Sequence, residues 1–364
     1  MINNKKARII ALYLPQFHPI PENDIWWGKG FTEWTNVGKA KPLFKGHYQP
    51  RIPANLGYYD LRVPETRKAQ ADMAREHGVE GFCYWHYWFG NGKRLLERPF
   101  NEVLVSKEPD FPFCLAWANE SWKGISHGLK NRNVLIEQLY PGEEDYKAHF
   151  YSVLPAFKDK RYITVDGKPF FMIYKPFDNN DIVVFIKTWR KLAQQNKLPG
   201  IYFVGHSNDP KYTNEDILSL GFDAVNPVRL IQYFHVRTSL QRILRKMNRV
   251  INGIYVVAYP YSLMSKYFHD DEDDIKENIF PSIIPGWDHS PRSGKNGIIM
   301  TDATPEYFDE HVKKILSLVS RKQNEHRIVI IKSWNEWAEG NYMEPDLKWG
   351  MKHLEVLKTN ILCR

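Results

Sequence analysis

The stretch Arg327-Ile328-Val329-Ile330-Ile331-Lys332-Ser333-Trp334-Asn335-Glu336-Trp337-Ala338-Glu339-Gly340 decides how the chain is read. Its first half is an almost unbroken apolar run, the composition of a parallel strand covered on both faces. Its second half turns abruptly aromatic and polar, with two glutamates three residues apart. Similar apolar runs recur at 8–14, 79–85, 112–117, 169–174, 201–205, 224–226, 254–258 and 279–285. Helical stretches fall at 63–77, 94–106, 145–157, 181–196, 214–220, 237–251, 305–321 and 353–360. Pro64 and Pro305 stand where a first-turn proline is tolerated, and Thr304 is placed to cap the helix that Pro305 opens. Strands alternating with helices predict an α/β fold, a (β/α)8 TIM barrel with extended loops at the C-terminal rim. A doubly wound sheet competes, but Pro15-Gln16-Phe17-His18-Pro19 follows the first strand where a glycine-rich turn would be needed, and no P-loop occurs. Nine candidates for eight places mean that one of 224–226 and 254–258 is not a strand or lies outside the barrel. No repeat or linker interrupts the chain, so residues 1–364 read as one catalytic domain with insertions at 15–62 and 229–252.

The 364 residues are 43% hydrophobic and 25% charged, as in ordinary globular proteins. With 12 Trp, 20 Tyr and 20 Phe the chain must collapse, which excludes global disorder. Cys83, Cys114 and Cys363 are odd in number and lack metal spacing, so neither a disulfide framework nor a zinc site is expected. No other metal site or cofactor is indicated either: His18, His86, His206 and His289 lie on separate segments. The N-terminal apolar run is too short for a secretory signal, and no run reaches a membrane span, so a cytoplasmic protein is expected. The net charge of +8 is spread along the chain without a nucleic-acid-binding motif, which argues against a nucleic-acid partner. One segment stands apart: 237–249 carries Arg237, Arg242, Arg245, Lys246 and Arg249 without an acid, over apolar residues at helical spacing. It reads either as a core-packed helix with a solvated basic face or as a helix on the anionic inner face of a membrane. The acidic run 270–274 reads as a solvated loop.

In a barrel, chemistry collects where the strands end. Trp26, Trp27 and Trp34 follow the first strand, with Tyr13 and Gln16 at its end and Glu33 beside Trp34. Trp85, His86, Tyr87 and Trp88 close the second; Trp117, Asn119, Glu120 and Trp122 follow the third; Tyr174 ends the fourth. Trp287, Asp288 and His289 follow 279–285, and Trp334, Asn335 and Trp337 surround the two glutamates. Ten of the 12 Trp thus fall at one rim, all but Trp189 and Trp349. Indoles and phenols offer planes to sugar C–H faces, and interleaved Asn, Asp, Glu and His suit hydroxyls, which points to a carbohydrate ligand. A helical turn would put Glu336 and Glu339 on one face, with Cβ atoms ~5–6 Å apart. Retaining glycosidases need carboxyls ~5–5.5 Å apart and inverting ones ~6.5–9.5 Å. Neighbouring indoles would desolvate one carboxyl and let it act as an acid. Glu120 is a third acid, alternatively held in an ion pair, and His86 is either a sugar contact or a core histidine.

Trp334-Asn335-Glu336-Trp337-Ala338-Glu339-Gly340 with Glu344-Pro345 resembles glycoside hydrolase family 99, the endo-α-mannosidases and endo-α-mannanases. It is closer to the related WbsX-type proteins of polysaccharide and O-antigen clusters. Tyr13-Leu14-Pro15-Gln16-Phe17-His18, Gly30-Phe31-Thr32-Glu33-Trp34, Gly81-Phe82-Cys83-Tyr84-Trp85-His86-Tyr87-Trp88, Leu115-Ala116-Trp117-Ala118-Asn119-Glu120 and Pro285-Gly286-Trp287-Asp288 extend the resemblance over nearly the whole chain. It implies a (β/α)8 barrel acting on α-mannosides with retention. Glu336 would deprotonate the sugar 2-hydroxyl so that this oxygen attacks the anomeric carbon, Glu339 would be the general acid/base, and Asn335 would orient the 2-hydroxyl. Segments 26–48 and 230–252 look like the WbsX branch and not the hydrolases.

Three functions remain to be separated. One is a retaining glycoside hydrolase on an oligosaccharide or polysaccharide; another is a cytoplasmic glycosyltransferase of surface-polysaccharide assembly that takes a lipid-linked glycan at the membrane. The third, a non-catalytic glycan-binding module, has no need of two acids three residues apart.

Overall fold

The computed structural model describes residues 5–124, 133–207, 209–236 and 256–362. Its centre is eight parallel strands: β1 (Arg8–Tyr13), β2 (Gly81–Trp88), β3 (Phe113–Trp117), β4 (Lys168–Ile173), β5 (Tyr202–Ser207), β6 (Ala224–Pro227), β7 (Ser282–Ile283) and β8 (Ile328–Ile331). They are ordered β6-β5-β4-β3-β2-β1-β8-β7. The register pairs Leu12 with Cys83, Cys83 with Cys114, Leu115 with Phe171, Ile173 with Gly205 and Gly205 with Val225. On the other side Ile10 faces Ile330, which faces Ser282. A parallel bridge from Val225 to Ile279 joins β6 to the approach of β7, so the ring nearly closes and the expected (β/α)8 barrel results. The strands are apolar runs because both faces are covered: Ile328, Val329, Ile330 and Ile331 are all fully buried.

The helices of six residues or more among the described residues are α1 (Pro21–Trp27), α2 (Glu33–Lys39), α3 (Pro64–Glu76), α4 (Arg98–Ser106), α5 (Glu143–Phe157), α6 (Ile182–Gln195), α7 (Asn214–Ser219), α8 (Pro305–Val319) and α9 (Lys352–Ile361). Pro64 and Pro305 open α3 and α8, and the Thr304 side chain accepts the Tyr307 N–H. Helix α6 buries Ile182, Phe185, Ile186, Trp189 and Ala193, a helical stripe turned onto the sheet. Trp189 packs on Phe171 at 4.7 Å and on His149 at 4.9 Å between ring centroids. Burying each such side chain contributes about 1.5–3 kcal/mol.

Of the two doubtful strand candidates, 224–226 is β6, whereas Val257–Pro260 pairs in parallel with Ile298–Thr301 in a separate two-stranded sheet outside the barrel. Two expectations need correction. Arg94 and Leu95 are not helical but pair antiparallel with the end of β2. The acidic run is not wholly solvated, since Asp274 is fully buried and holds Arg229 at 2.8 and 3.0 Å. Within 15–62 the chain forms α1 and α2. The basic segment 237–249 lies outside the described residues.

Beyond the Val225–Ile279 bridge, whose backbone bonds run from Val225 N to Asn278 O and from Phe280 N to Val225 O, one side chain ties β6 to β7. Asn226 Nδ2 donates to the Phe280 carbonyl at 2.6 Å and to Ser282 Oγ at 3.0 Å, while its Oδ1 lies 2.9 Å from His206 Nδ1. A carboxamide has the donor and acceptor of a peptide group, so here it substitutes for a ladder bond. Asn226→Leu, of similar size, leaves a buried carbonyl and a buried imidazole N–H unpaired and is expected to lower stability by about 2–4 kcal/mol. Urea unfolding followed by tryptophan fluorescence measures this; an unchanged midpoint refutes it.

Candidate active site

After β8 the chain makes a small hairpin in which Asn335–Glu336 pairs antiparallel with Asn341–Tyr342, and Trp337–Glu339 forms a 3-10 turn at its tip. Glu336 caps this turn and Glu339 ends it, so the two acids sit three residues apart on one hairpin, close enough for the charge of Glu339 to act on Glu336. Gly340 ends it at φ +58°, and a Cβ there would meet the Asp288 Cβ at 2.7 Å, so only glycine fits. The indole of Trp337 stacks on Tyr342 at 3.8 Å and donates to Glu344 at 2.6 Å.

Glu336 is buried and accepts a hydrogen bond from Ser333 Oγ at 2.7 Å, with Lys332 Nζ at 3.7 Å. Burial, and then the Glu339 charge, push its carboxyl above the usual range, against the pull of Lys332 and Arg292. Glu339 is ion-paired to Arg292, and His289 Nε2 is 3.7 Å away. Arg292, from the short helix Ser290–Ser293 behind β7, also reaches the buried Glu33 at 3.2 Å, so one guanidinium joins two carboxylates. Glu120 belongs to the same field: burial raises its carboxyl, Lys175 opposes, and the charges of Asp178 and Glu339 raise it further. The Tyr87 hydroxyl is pushed up by burial and by the charge of Glu336.

Around these acids Trp85 stands edge-on to Tyr174 (5.5 Å, 83°), and Trp122 edge-on to Tyr87 (5.2 Å) and Trp26 (5.9 Å). Trp26 meets Trp27 edge-on, and Trp27 stacks on Phe31. Trp34 packs on Trp337 at 5.5 Å and donates to the Tyr59 carbonyl. Trp287 lies nearly parallel to the His289 ring, with Lys332 Nζ 5.5 Å from its centroid. Trp26, Trp27, Trp34, Glu120, Tyr174 and Trp287 are partly exposed. Gln16 is buried with its Nε2 unpaired.

Other expected contacts are built into the wall instead. Asn335 is fully buried, its Oδ1 accepting from Leu14 N at 2.7 Å and its Nδ2 donating to Leu14 O at 3.0 Å, which departs from the expectation that it orients a sugar hydroxyl. Asn119 does the same to Lys175, at 2.7 and 2.8 Å. Asp288 is fully buried, bonded by His47 at 2.8 Å, Gln49 at 2.7 Å and the Ser290 N–H at 3.0 Å; burial raises its carboxyl, but His47 and Arg51 outweigh that and take it to about 2. His86 is a core histidine, its Nε2 2.8 Å from His149 Nε2. Trp117 stacks on Phe185, Trp334 packs on Phe82, and Tyr13 donates to Gln70, all buried. Arg292, Lys332 and Ser333 were not singled out in the sequence, and no local pattern marks them. Tyr87 was legible: alternation along β2 puts Trp85 and Tyr87 on one face and His86 and Trp88 on the other. Among the described residues no group of three or more His, Cys, Asp or Glu could hold a metal, and no helix is long and apolar enough to cross a membrane.

Barrel, aromatic mouth and clustered acids define the class, a carbohydrate-active (β/α)8 enzyme. The chain belongs to the WbsX glycosyltransferase family, whose profile matches residues 9–357. The uncharacterized protein WxcX of Xanthomonas campestris pv. campestris, from strain B100, is 35% identical over 354 residues, 97% of this chain and 49% of that protein; its counterpart in strain ATCC 33913 matches equally. The chain therefore spans about half the length of the curated relatives it matches. Among solved structures, a glycoside hydrolase-like protein superposes with a TM-score of 0.63 at 15% identity, covering 100% of this chain and 96% of that one. The GH99 endo-alpha-mannosidase from Bacteroides thetaiotaomicron gives 0.55 at 15%, over 97% and 95%. These two likenesses are of fold.

Glu344 supports the hairpin from below. It is buried and accepts from Trp337, from Tyr59 at 2.8 Å and from Gln70 at 2.6 Å; burial lifts its carboxyl to about 7 against those bonds. The folded state therefore keeps the proton while the unfolded chain loses it near the ordinary carboxylate value. Between about pH 4.5 and 7 this group makes stability fall as pH rises, by about 3 kcal/mol in all. Glu344→Gln removes that dependence, so its stability relative to the parent should climb across this window; parallel stability–pH curves would refute the assignment.

Proposed function

We propose that this chain transfers or cleaves an α-linked, mannoside-like glycosyl unit with retention of configuration, using Glu336 and Glu339. The observation that carries the reading is the hairpin tip, where two acids of one turn face each other's charge beside Arg292 within a mouth walled by aromatic rings. Burial makes Glu336 a stronger base than an ordinary carboxylate, the property needed to take a proton from a sugar hydroxyl. The first step starts from ionised Glu336 and protonated Glu339, so substrate binding must draw Glu339 from its ion pair with Arg292: Glu336 takes the 2-hydroxyl proton, the 2-oxygen bonds to the anomeric carbon, and the leaving oxygen takes the proton that Glu339 carries. In the second, the acceptor gives its proton to Glu339 and attacks the anomeric carbon, and the 2-oxygen recovers its proton from Glu336. Two inversions give net retention. Lys332 and Ser333 hold the Glu336 carboxyl, and Arg292 together with Glu33 positions Glu339.

The family's description as a glycosyltransferase favours a sugar acceptor over water, and with it a role in surface-polysaccharide assembly on a lipid-linked glycan at the cytoplasmic face of the membrane. Glu336→Gln and Glu339→Gln should each lower turnover by at least about 10³-fold, within the range lost when an acid/base or charge-stabilising group is removed, while melting behaviour and ligand binding persist. The assay incubates the protein with α-linked oligosaccharides and with activated or lipid-linked donors plus acceptors, and reads the product's anomeric proton by NMR. Inverted product, or full activity in either variant, rejects the proposal.

A further inference from the structure

At the ends of β4 and β5 lies a histidine that the reaction above does not use. We propose that His206, framed by Trp85 and Tyr174, accepts a hydrogen bond from a hydroxyl of a bound pyranose, which makes this side of the mouth a sugar subsite. The inference rests on the carbohydrate reading, and it concerns binding, not chemistry.

The proton position on His206 follows from its neighbours. A carbonyl oxygen only accepts, so the Asn226 atom 2.6 Å from Phe280 O is the amide nitrogen, and Oδ1 faces His206. The His206 nitrogen at 2.9 Å from that oxygen, Nδ1, must then donate. The remaining ring nitrogen, Nε2, carries a lone pair; it is buried and has no hydrogen-bond partner among the described residues. Burial, and the charges of Lys332 and Lys175, hold the imidazole neutral, with its protonation lowered to about 3. An unmatched buried acceptor costs about 1–3 kcal/mol, so a partner from outside the chain is favoured.

The surroundings select the partner's chemistry. Lys175 and Lys332 oppose a cation at Nε2. A carboxylate or phosphate oxygen would put lone pair against lone pair. What remains is a neutral hydrogen-bond donor, such as a hydroxyl. The rings fit a sugar carrying it: Tyr174 lies 5.2 Å from His206 between centroids, Trp85 lies 6.2 Å from it, and the two stand nearly perpendicular. His206 also lines a cavity of about 50 Å³ with Tyr174, Lys175, Phe177, Asp178 and Tyr212. On this measure about 10–15 Å³ holds one water, so the space takes a hydroxyl or hydroxymethyl arm and not a whole ring.

The test uses the intact protein with ¹⁵N-labelled histidine and the probes methyl α-mannoside and methyl α-glucoside. Imidazole ¹⁵N–¹H correlation spectra at pH 7 should show His206 protonated at Nδ1 and bare at Nε2, with the Nε2 resonance moving upfield as glycoside is added. His206→Phe should weaken glycoside binding three- to tenfold, the loss of one neutral hydrogen bond, whereas His206→Gln, which keeps an acceptor, should stay within about threefold of the parent. Because the wild-type spectrum needs no variant, misfolding of His206→Phe leaves the test intact. A proton on Nε2, a resonance that saturating glycoside does not move, or no binding by either glycoside overturns the proposal. The same titration on Glu336→Gln separates the two readings: a normal shift there with failure of the turnover prediction sinks the mechanism alone. Turnover by the parent that is lost in Glu336→Gln, together with a silent His206, sinks this subsite alone.

Discussion

The carboxamide of Asn335 meets both the N–H and the C=O of Leu14, and this pair of bonds fixes where the hairpin after β8 leaves the barrel. Strands in a closed barrel diverge at their ends, and peptide groups there lose their ladder partners while still buried. An asparagine side chain replaces the missing peptide, donor and acceptor together. Asn119 repeats the device on Lys175, just past β4, and Asn226 uses its donor alone on the approach to β7, its acceptor facing His206. Each ties a strand end to the neighbouring strand. The acids at the hairpin tip inherit their position from the first of these.

That position would be electrostatically unfavourable without compensation. Glu33, Glu336, Glu339 and Glu120 act within one small volume, and removing several carboxylates from water costs several kcal/mol each. The chain answers with Arg292 between Glu33 and Glu339, Lys332 beside Glu336 and Lys175 toward Glu120. Arg292 lies within the cluster and not away from it, so its pairing with Glu339 keeps that carboxylate beside Glu336. A rigid planar cation suits the task better than a lysine, because its fork can address two acids at once.

The barrel was legible because parallel strands covered on both faces must be apolar along their length, a property of local composition. The doubt over 254–258 has the same source: a two-stranded parallel pair beside the barrel has the same composition as a barrel strand. The hairpin glutamates were legible because polar residues at the end of an apolar run stand out. Which strand-end polar residues face the mouth was not legible, since Asn335 and Glu336 are adjacent yet one grips the wall and the other faces Lys332. Arg292 was hidden for a different reason, being 47 residues from Glu339 and 259 from Glu33 along the chain. Asp274 likewise looked like one more solvated acid until the fold brought Arg229 to it.

Four of the imidazoles buried among the described residues give the molecule a direction of weakness. His86, His149, His206 and His311 are each held neutral by burial, with His86, His206 and His311 taking a proton only at about 3. A released chain binds those protons near pH 6.5, so below that value the four together lower stability as pH falls, against the opposite slope of Glu344. The architecture is thereby matched to neutral surroundings. In an acidified vesicle or a sour medium its interior histidines would turn from packing material into a wedge.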